Sequence, residues 1–245
     1  MTPIHCGSTL NIIDTGCLSD VSLLLSTKTE AALLYFHFLR EKLKIKDRYT
    51  PAPLERRDER GFERYVQVNG PAADITIFTI GHSTRPIEEF ISILKALDIS
   101  LVADVRTIPR SRHNPQFNSD MLAKSLKDSG LDYVHMPGLG GLRHPKKDSP
   151  NTAWKNDSFR GFADYMQTED FEKGVATLIE TAEKQQTVIM CAEAVPWHCH
   201  RSLIGDALLV RGIKVVDIIS ESTRRDHALT PSAAVNGTMV AYPGE

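Results

Sequence analysis

The chain predicts an α/β fold of three layers, a mostly parallel sheet with helices on both faces, preceded by an N-terminal extension. Two observations carry this. From Asp74 onward, short β-branched apolar runs alternate with stretches whose apolar residues recur at helical spacing. Each connection between successive runs is also long enough for a crossover, which parallel strands require and hairpins do not.

Residues 1–73 read as an extension, partly helical or disordered. Val21 to Ile45 carries an apolar series, Leu24, Leu25, Ala31, Leu34, Tyr35, Phe38, Leu39 and Leu43, that fits one helix or two pieces, with Arg40, Lys42, Lys44 and Lys46 near its C-terminal end. Thr50-Pro51-Ala52-Pro53 breaks it, and the charge run Glu55 to Arg60 reads as a solvated linker up to the stop at Asn69-Gly70-Pro71. The α/β domain is placed at 74–219. Its first strand is Ile75 to Ile80, and a helix follows with Ser83 or Thr84 as cap, Pro86 in the first turn and a stripe of Phe90, Ile91, Leu94 and Leu97. Leu101 to Val105 is the second strand, Met121 to Leu126 marks a helix ending at Gly130, and Tyr133 to His135 is the third strand. Helices over Phe159 to Gln167 and Phe171 to Lys184 precede the strand Val188 to Met190. A helix through Leu203, Ile204, Ala207 and Leu208 stops at Gly212, before a last strand over Ile213 to Ile219. Residues 220–245, with little apolar periodicity, read as a surface tail or a segment closing over a cleft.

Composition narrows the function classes. A chain of 245 residues that is 41% apolar and 24% charged is ordinary for a globular protein. A net charge of −2 and a pI near 6.5 exclude coating of nucleic acid or membranes by bulk electrostatics, so any polyanion is bound locally. The longest apolar run, Ala31 to Leu39, is too short to span a bilayer. Four cysteines in no dense framework, with no signal peptide, point to a reducing cytoplasm.

The chemistry concentrates at predicted strand ends, where open α/β sheets bind ligands. Between Cys191 and Ser202 lie Cys191, Glu193, His198, Cys199, His200, Arg201 and Ser202, on the joint between a strand and a helix. A phosphatase-type or sulfurtransferase-type loop needs Arg six positions after the Cys, and that position is Trp197. The two thiols also lack the closely paired spacing of usual zinc sites, so no metal ligand is assigned and no cofactor is named. A Cys-His-Arg-Ser run at a helix start instead offers free N–H groups and a planar guanidinium to an anion, and lowers a thiol pKa. The other strand ends supply Gly81-His82-Ser83, Asp104-Val105-Arg106 with Arg112, and Leu139-Gly140-Gly141 with Arg143. His82, Asp104, Arg106, Arg112, Arg143, Cys191, Glu193 and Arg201 are expected to converge on one cleft.

With these residues, over roughly Ile75 to Ile219, the chain resembles the family called domain of unknown function 488. The matching elements are Thr79-Ile80-Gly81-His82-Ser83, Asp104-Val105-Arg106 with Pro109 and Ser111-Arg112, Leu139-Gly140-Gly141 with Arg143, and Cys191-Ala192-Glu193 with Cys199-His200-Arg201. The resemblance implies a compact α/β fold and a shared cleft without naming a reaction, although members are sometimes labelled as related to DNA repair.

The leading expectation is an enzyme acting on a phosphorylated, nucleotide or nucleic-acid substrate. Cys191 would be the nucleophile and His82, Asp104, Glu193 and His200 the catalytic groups. Ser83, Arg106, Arg112, Gly140, Gly141, Arg143, Arg201 and Ser202 would bind substrate. One alternative is a non-catalytic nucleic-acid or ligand-binding module with Trp154, Phe159 or Trp197 stacking on bases. Another is metal or thiol redox chemistry through Cys191, Cys199 and His200 or His198.

Overall fold

A computed structural model describes residues 75–244. The expectations for residues 1–73 lie outside them. Five parallel strands, β1 (Thr76–Gly81), β2 (Leu101–Asp104), β3 (Asp132–His135), β4 (Thr187–Cys191) and β5 (Lys214–Ile218), form the sheet in the order β3-β2-β4-β1-β5. A sixth, β6 (Arg224–Asp226), adds antiparallel beside β5. The strands alternate with α1 (Ile87–Lys95), α2 (Ser119–Asp128), α3 (Asp157–Tyr165), α4 (Glu169–Ala182) and α5 (Arg201–Leu209). The three-layer α/β expectation holds. No helix among the described residues is long and apolar enough to cross a membrane.

The layers follow from side-chain alternation along each strand. Val102, Val188, Met190 and Ile80 pack with Phe90, Ile93 and Leu94 of α1 and Leu122 and Leu126 of α2. Their neighbours Ile77, Ala103 and Ile189 face the other way, against α3, α4 and α5. β4 has all five residues buried, as a central strand covered on both faces must. The chain therefore leaves β2 toward α2 on one face, and leaves the adjacent β4 toward α5 on the other. Loops that part in this way open a crevice above the carboxyl ends of the strands.

Two local expectations are corrected. Neither Ser83 nor Thr84 caps α1; Pro86 holds the N-cap position and Ile93, rather than Ile91, is buried. The reason is that β1 keeps pairing with β4 beyond its end, the Ser83 N–H donating to Ala192 O at 2.9 Å. The chain then turns through Ser83 at φ 50° before it can coil. Residues 220–244 are not a surface tail. β6 extends the sheet, β7 (Ala234–Asn236) and β8 (Met239–Ala241) form a hairpin, and Tyr242 is fully buried.

A buried ionic cluster ties that segment to the domain. The His227 ring donates from Nδ1 to Asp217 (2.9 Å) and from Nε2 to Asp206 (3.2 Å). Tyr242 donates to the second Asp206 oxygen and Thr79 to Asp217. With both nitrogens donating, the ring is an imidazolium: burial opposes its charge, but the bonds to Asp206 and Asp217 outweigh burial and raise its pKa to about 9. Burial likewise opposes ionisation of Asp217, yet the His227 bond holds its pKa below the ordinary value. Stability from His227 is then fully present below its unfolded pKa of 6.5 and is lost as pH rises through about 9. Stability from Asp217 is present above its unfolded pKa of 3.8 and is lost as pH falls below that. Denaturant unfolding at several pH values is expected to show a plateau between these limits. Raising the pH from 6 to 10 should cost on the order of 3 kcal/mol, and His227→Gln should remove most of that slope; an equal slope in the variant would contradict the assignment.

Candidate active site

The carboxyl ends of β2, β3 and β4 and the start of α5 enclose a cleft of about 330 Å³. Its floor is Cys191, the last residue of β4, together with Cys199 and His200 ahead of α5. The walls come from Arg106, Thr107, Ile108 and Arg110 after β2, and from Gly141, Leu142, Ser158 and Phe159. Glu193 and His198 are exposed at the rim.

The floor is held in register by the backbone. The Val105 carbonyl accepts the Nε2–H of His200 at 3.1 Å. That bond directs Nδ1 at two sulfurs, Cys199 Sγ at 3.6 Å and Cys191 Sγ at 3.9 Å. The two thiols share one proton unequally: the Cys199 S–H bonds to Cys191 and holds its pKa well below the ordinary thiol value, with His200 and the Arg201 charge adding to the effect against burial. Cys199 is pushed well up by giving that bond and by burial. Of the two sulfurs, Cys191 is the one on which negative charge is favoured. Gly141 packs on the face of the His200 ring, where a Cβ would lie 2.4 Å from Nδ1 and 2.6 Å from Cγ, so only glycine fits.

Behind the floor lies Arg201, fully buried, whose guanidinium donates to the carbonyls of Glu193 (2.6 Å) and Ala194 (3.0 Å). The loop after β4 thus folds down over β1 so closely that a Cβ on Gly81 would fall 1.6 Å from Glu193 O. Only glycine permits that approach. On the opposite face of the sheet, buried Asp104 accepts two bonds from the Arg106 guanidinium on its Oδ1 and Oδ2 (2.8 and 2.5 Å), one from the Arg106 N–H and one from Tyr133 OH. Burial and that carboxylate together push the Tyr133 pKa up. His82 donates from Nδ1 to Ser83 O, accepts from Arg106 on Nε2 at 3.3 Å, and stacks on Phe117. Burial lowers its pKa, so it is neutral.

The expected convergence is therefore divided. Arg106, Gly141, Cys191, Glu193 and His200 do line the cleft. Asp104 and His82 have their polar atoms engaged behind it, so neither is placed to exchange a proton with a ligand there. Arg201 holds backbone carbonyls instead of offering itself to an anion. Arg143 donates to Gly140 O at 3.0 Å and covers the Tyr165 ring at 3.6 Å, which fixes the Gly140 turn. Gly140 is buried against Thr107, and Ser202 donates to Cys199 O. The second and third N–H groups of α5 are taken, Ser202 N by Cys199 O and Leu203 N by His200 O, and the first, that of Arg201, faces the Cys199 sulfur. Ser83 and Arg112 are not on the cleft wall. Trp154 stacks on Phe159 at 4.7 Å and meets buried Tyr242, with its indole N–H buried. Sequence reasoning passed over Ile108, Arg110 and Leu142. The signal was present: Ile108 and Leu142 are isolated large apolar residues in polar loops, and they remain 61% and 64% exposed at the cleft mouth.

Gly81→Ala is expected to lower unfolding stability by at least ~3 kcal/mol, the upper range for forced overpacking, because the methyl meets backbone rather than a yielding side chain. Gly138→Ala, with open space around it, should be near neutral. Equal stabilities in denaturant titration would contradict the close approach of the loop to β1.

No curated protein and no solved structure matches the chain. A family model does match, over residues 86–208, which takes in α1 to α5 and all three residues of the cleft floor. The chain belongs to the family described as Domain of unknown function DUF488.

Proposed function

We propose that the chain is an enzyme acting on a small anionic molecule, phosphorylated or of mononucleotide size, with the cleft above β2 and β4 as its active site. One observation carries the reading: the sulfurs of Cys191 and Cys199 and His200 Nδ1 lie within 4.8 Å of one another on the floor of that cleft. A core with merely structural thiols has no need to turn an imidazole nitrogen toward both of them at the floor of a cleft. The volume stands at the lower end of the ~300–1,000 Å³ typical of small-molecule sites, which favours a single nucleotide or smaller over a duplex. Arg110, exposed on the wall, supplies the cation for the anion. Ile108, Leu142 and Phe159 offer apolar contact, while Glu193 at the rim is the acid or base. Free thiols at Cys191 and Cys199 fit a reducing cytoplasm.

A nucleic-acid module that only binds is the weaker reading. Trp154 is packed inside, and Arg143 and Arg201 bond to the chain's own carbonyls.

Thermal-shift titration of the full chain with inorganic phosphate, mononucleotides and short single-stranded DNA tests the proposal. A ligand at 100 times its Kd stabilises the native state by about 2.7 kcal/mol. The small anions are expected to raise the Tm, and Arg110→Ala, which touches no buried partner, should abolish the rise without lowering the unliganded Tm. No rise with any of them, or an equal rise in Arg110→Ala, would count against the anion-binding cleft. Once a ligand is found, Cys191→Ser should lose turnover by at least ~100-fold while still binding.

A further inference from the structure

We infer that Cys191 Sγ, Cys199 Sγ and His200 Nδ1 form a three-ligand site for a zinc-type divalent ion, with the fourth position open to the cleft. The inference rests on the proposed function only for its location: it says what the reactive centre of that cleft holds.

The geometry carries it. In a tetrahedral zinc site, with Zn–S about 2.3 Å and Zn–N about 2.0–2.1 Å, a sulfur and a nitrogen ligand stand about 3.6 Å apart. Here the separations are 3.6 and 3.9 Å, and the sulfurs also lie within 4.8 Å of one another. Two thiolates and an imidazole are a donor set that selects zinc over hard cations. The imidazole is arranged as a ligating histidine is: Nε2–H donates to the Val105 carbonyl, which fixes the tautomer and points Nδ1 at the ion position. Finally, all three residues line the cleft, so a fourth ligand can enter from it. Three protein ligands with an open position are the pattern of catalytic rather than structural zinc sites.

The spacing rules for zinc ligands do not reveal this set, because its members come from a strand end and a helix start. They meet only when the intervening loop folds back over β1.

The test uses the reduced full-length protein, stripped with chelator, titrated with zinc ion alone and desalted before metal analysis. Stoichiometric retention is expected in the wild type and in a Cys6→Ser/Cys17→Ser variant. Affinity should fall at least ~100-fold in Cys199→Ser and His200→Ala, beyond the ~10–100-fold effect of losing a group behind a ligand. Cobalt in place of zinc should give sulfur-to-metal charge-transfer absorption that weakens in Cys199→Ser. Should those variants not fold, zinc should protect Cys191 and Cys199 of the wild type from iodoacetamide, as read by peptide mass. The inference is overturned by retention no greater than in a Cys191→Ser/Cys199→Ser variant, by retention that depends on Cys6 and Cys17, or by absence of protection. The two proposals fail separately: a metal-free protein whose anion response requires Arg110 removes the zinc site and keeps the enzyme reading. Zinc retention with no anion response does the reverse.

Discussion

The buried guanidinium of Arg201 is the interaction on which the rest of the site depends. Taking a charge that far from water costs several kcal/mol unless its donors are matched, and here two carbonyls of the loop after β4 accept from its two terminal nitrogens, while its Nε–H has no partner among the described residues. The same bonds pull that loop down over Gly81 and keep β4 paired with β1 past the nominal strand ends, through His82 N to Cys191 O and Ser83 N to Ala192 O. With the loop so fixed, Cys199 and His200 return to the end of β4 beside Cys191. Arg201 also lowers the cost of negative charge on both sulfurs and on Asp217. One side chain therefore sets both the position and the polarity of the cleft floor.

The sheet order explains why the cleft lies where it does. β2 and β4 are neighbours, yet they send their helices to opposite faces, so nothing in the chain's own path covers their carboxyl ends. The two faces divide the labour. On the side of α1 and α2, the polar cluster of Asp104, Arg106, Tyr133, His82 and Phe117 is closed upon itself and shapes one wall. On the side of α5, the thiols and His200 are left facing space. The difference is visible in the hydrogen bonds: His82 has both ring nitrogens engaged by protein, while His200 Nδ1 meets only sulfur.

Much of the fold could be read from the chain because Ile75 to Ile80, Leu101 to Val105 and Val188 to Met190 are β-branched runs with helical periodicity between them. The C-terminal segment could not. β6, β7 and β8 are three residues each, too short to show a period of two, and what buries Tyr242 is its hydroxyl bond to Asp206, 36 positions away. For the site, residue types and strand ends pointed to the right edge of the sheet, and Cys191, Glu193, Arg106, Gly141 and His200 are on it. The arginines misled for a physical reason. A guanidinium that binds an anion and one that ties down its own backbone carbonyls look alike in sequence, and Arg143 and Arg201 prove to be of the second kind. Arg110, with no such partner nearby in sequence, received no weight.

The central claim is that the fold anchors His200 Nε2–H on the Val105 carbonyl and so presents Nδ1 to Cys191 and Cys199. Long-range proton–nitrogen NMR of the His200 ring in the reduced protein at neutral pH measures this directly, with His200→Gln identifying the signal. The account predicts an Nε2 that carries a proton held in a hydrogen bond to the Val105 carbonyl. A ring protonated at Nδ1 in the neutral state, with Nε2 bare, would contradict it.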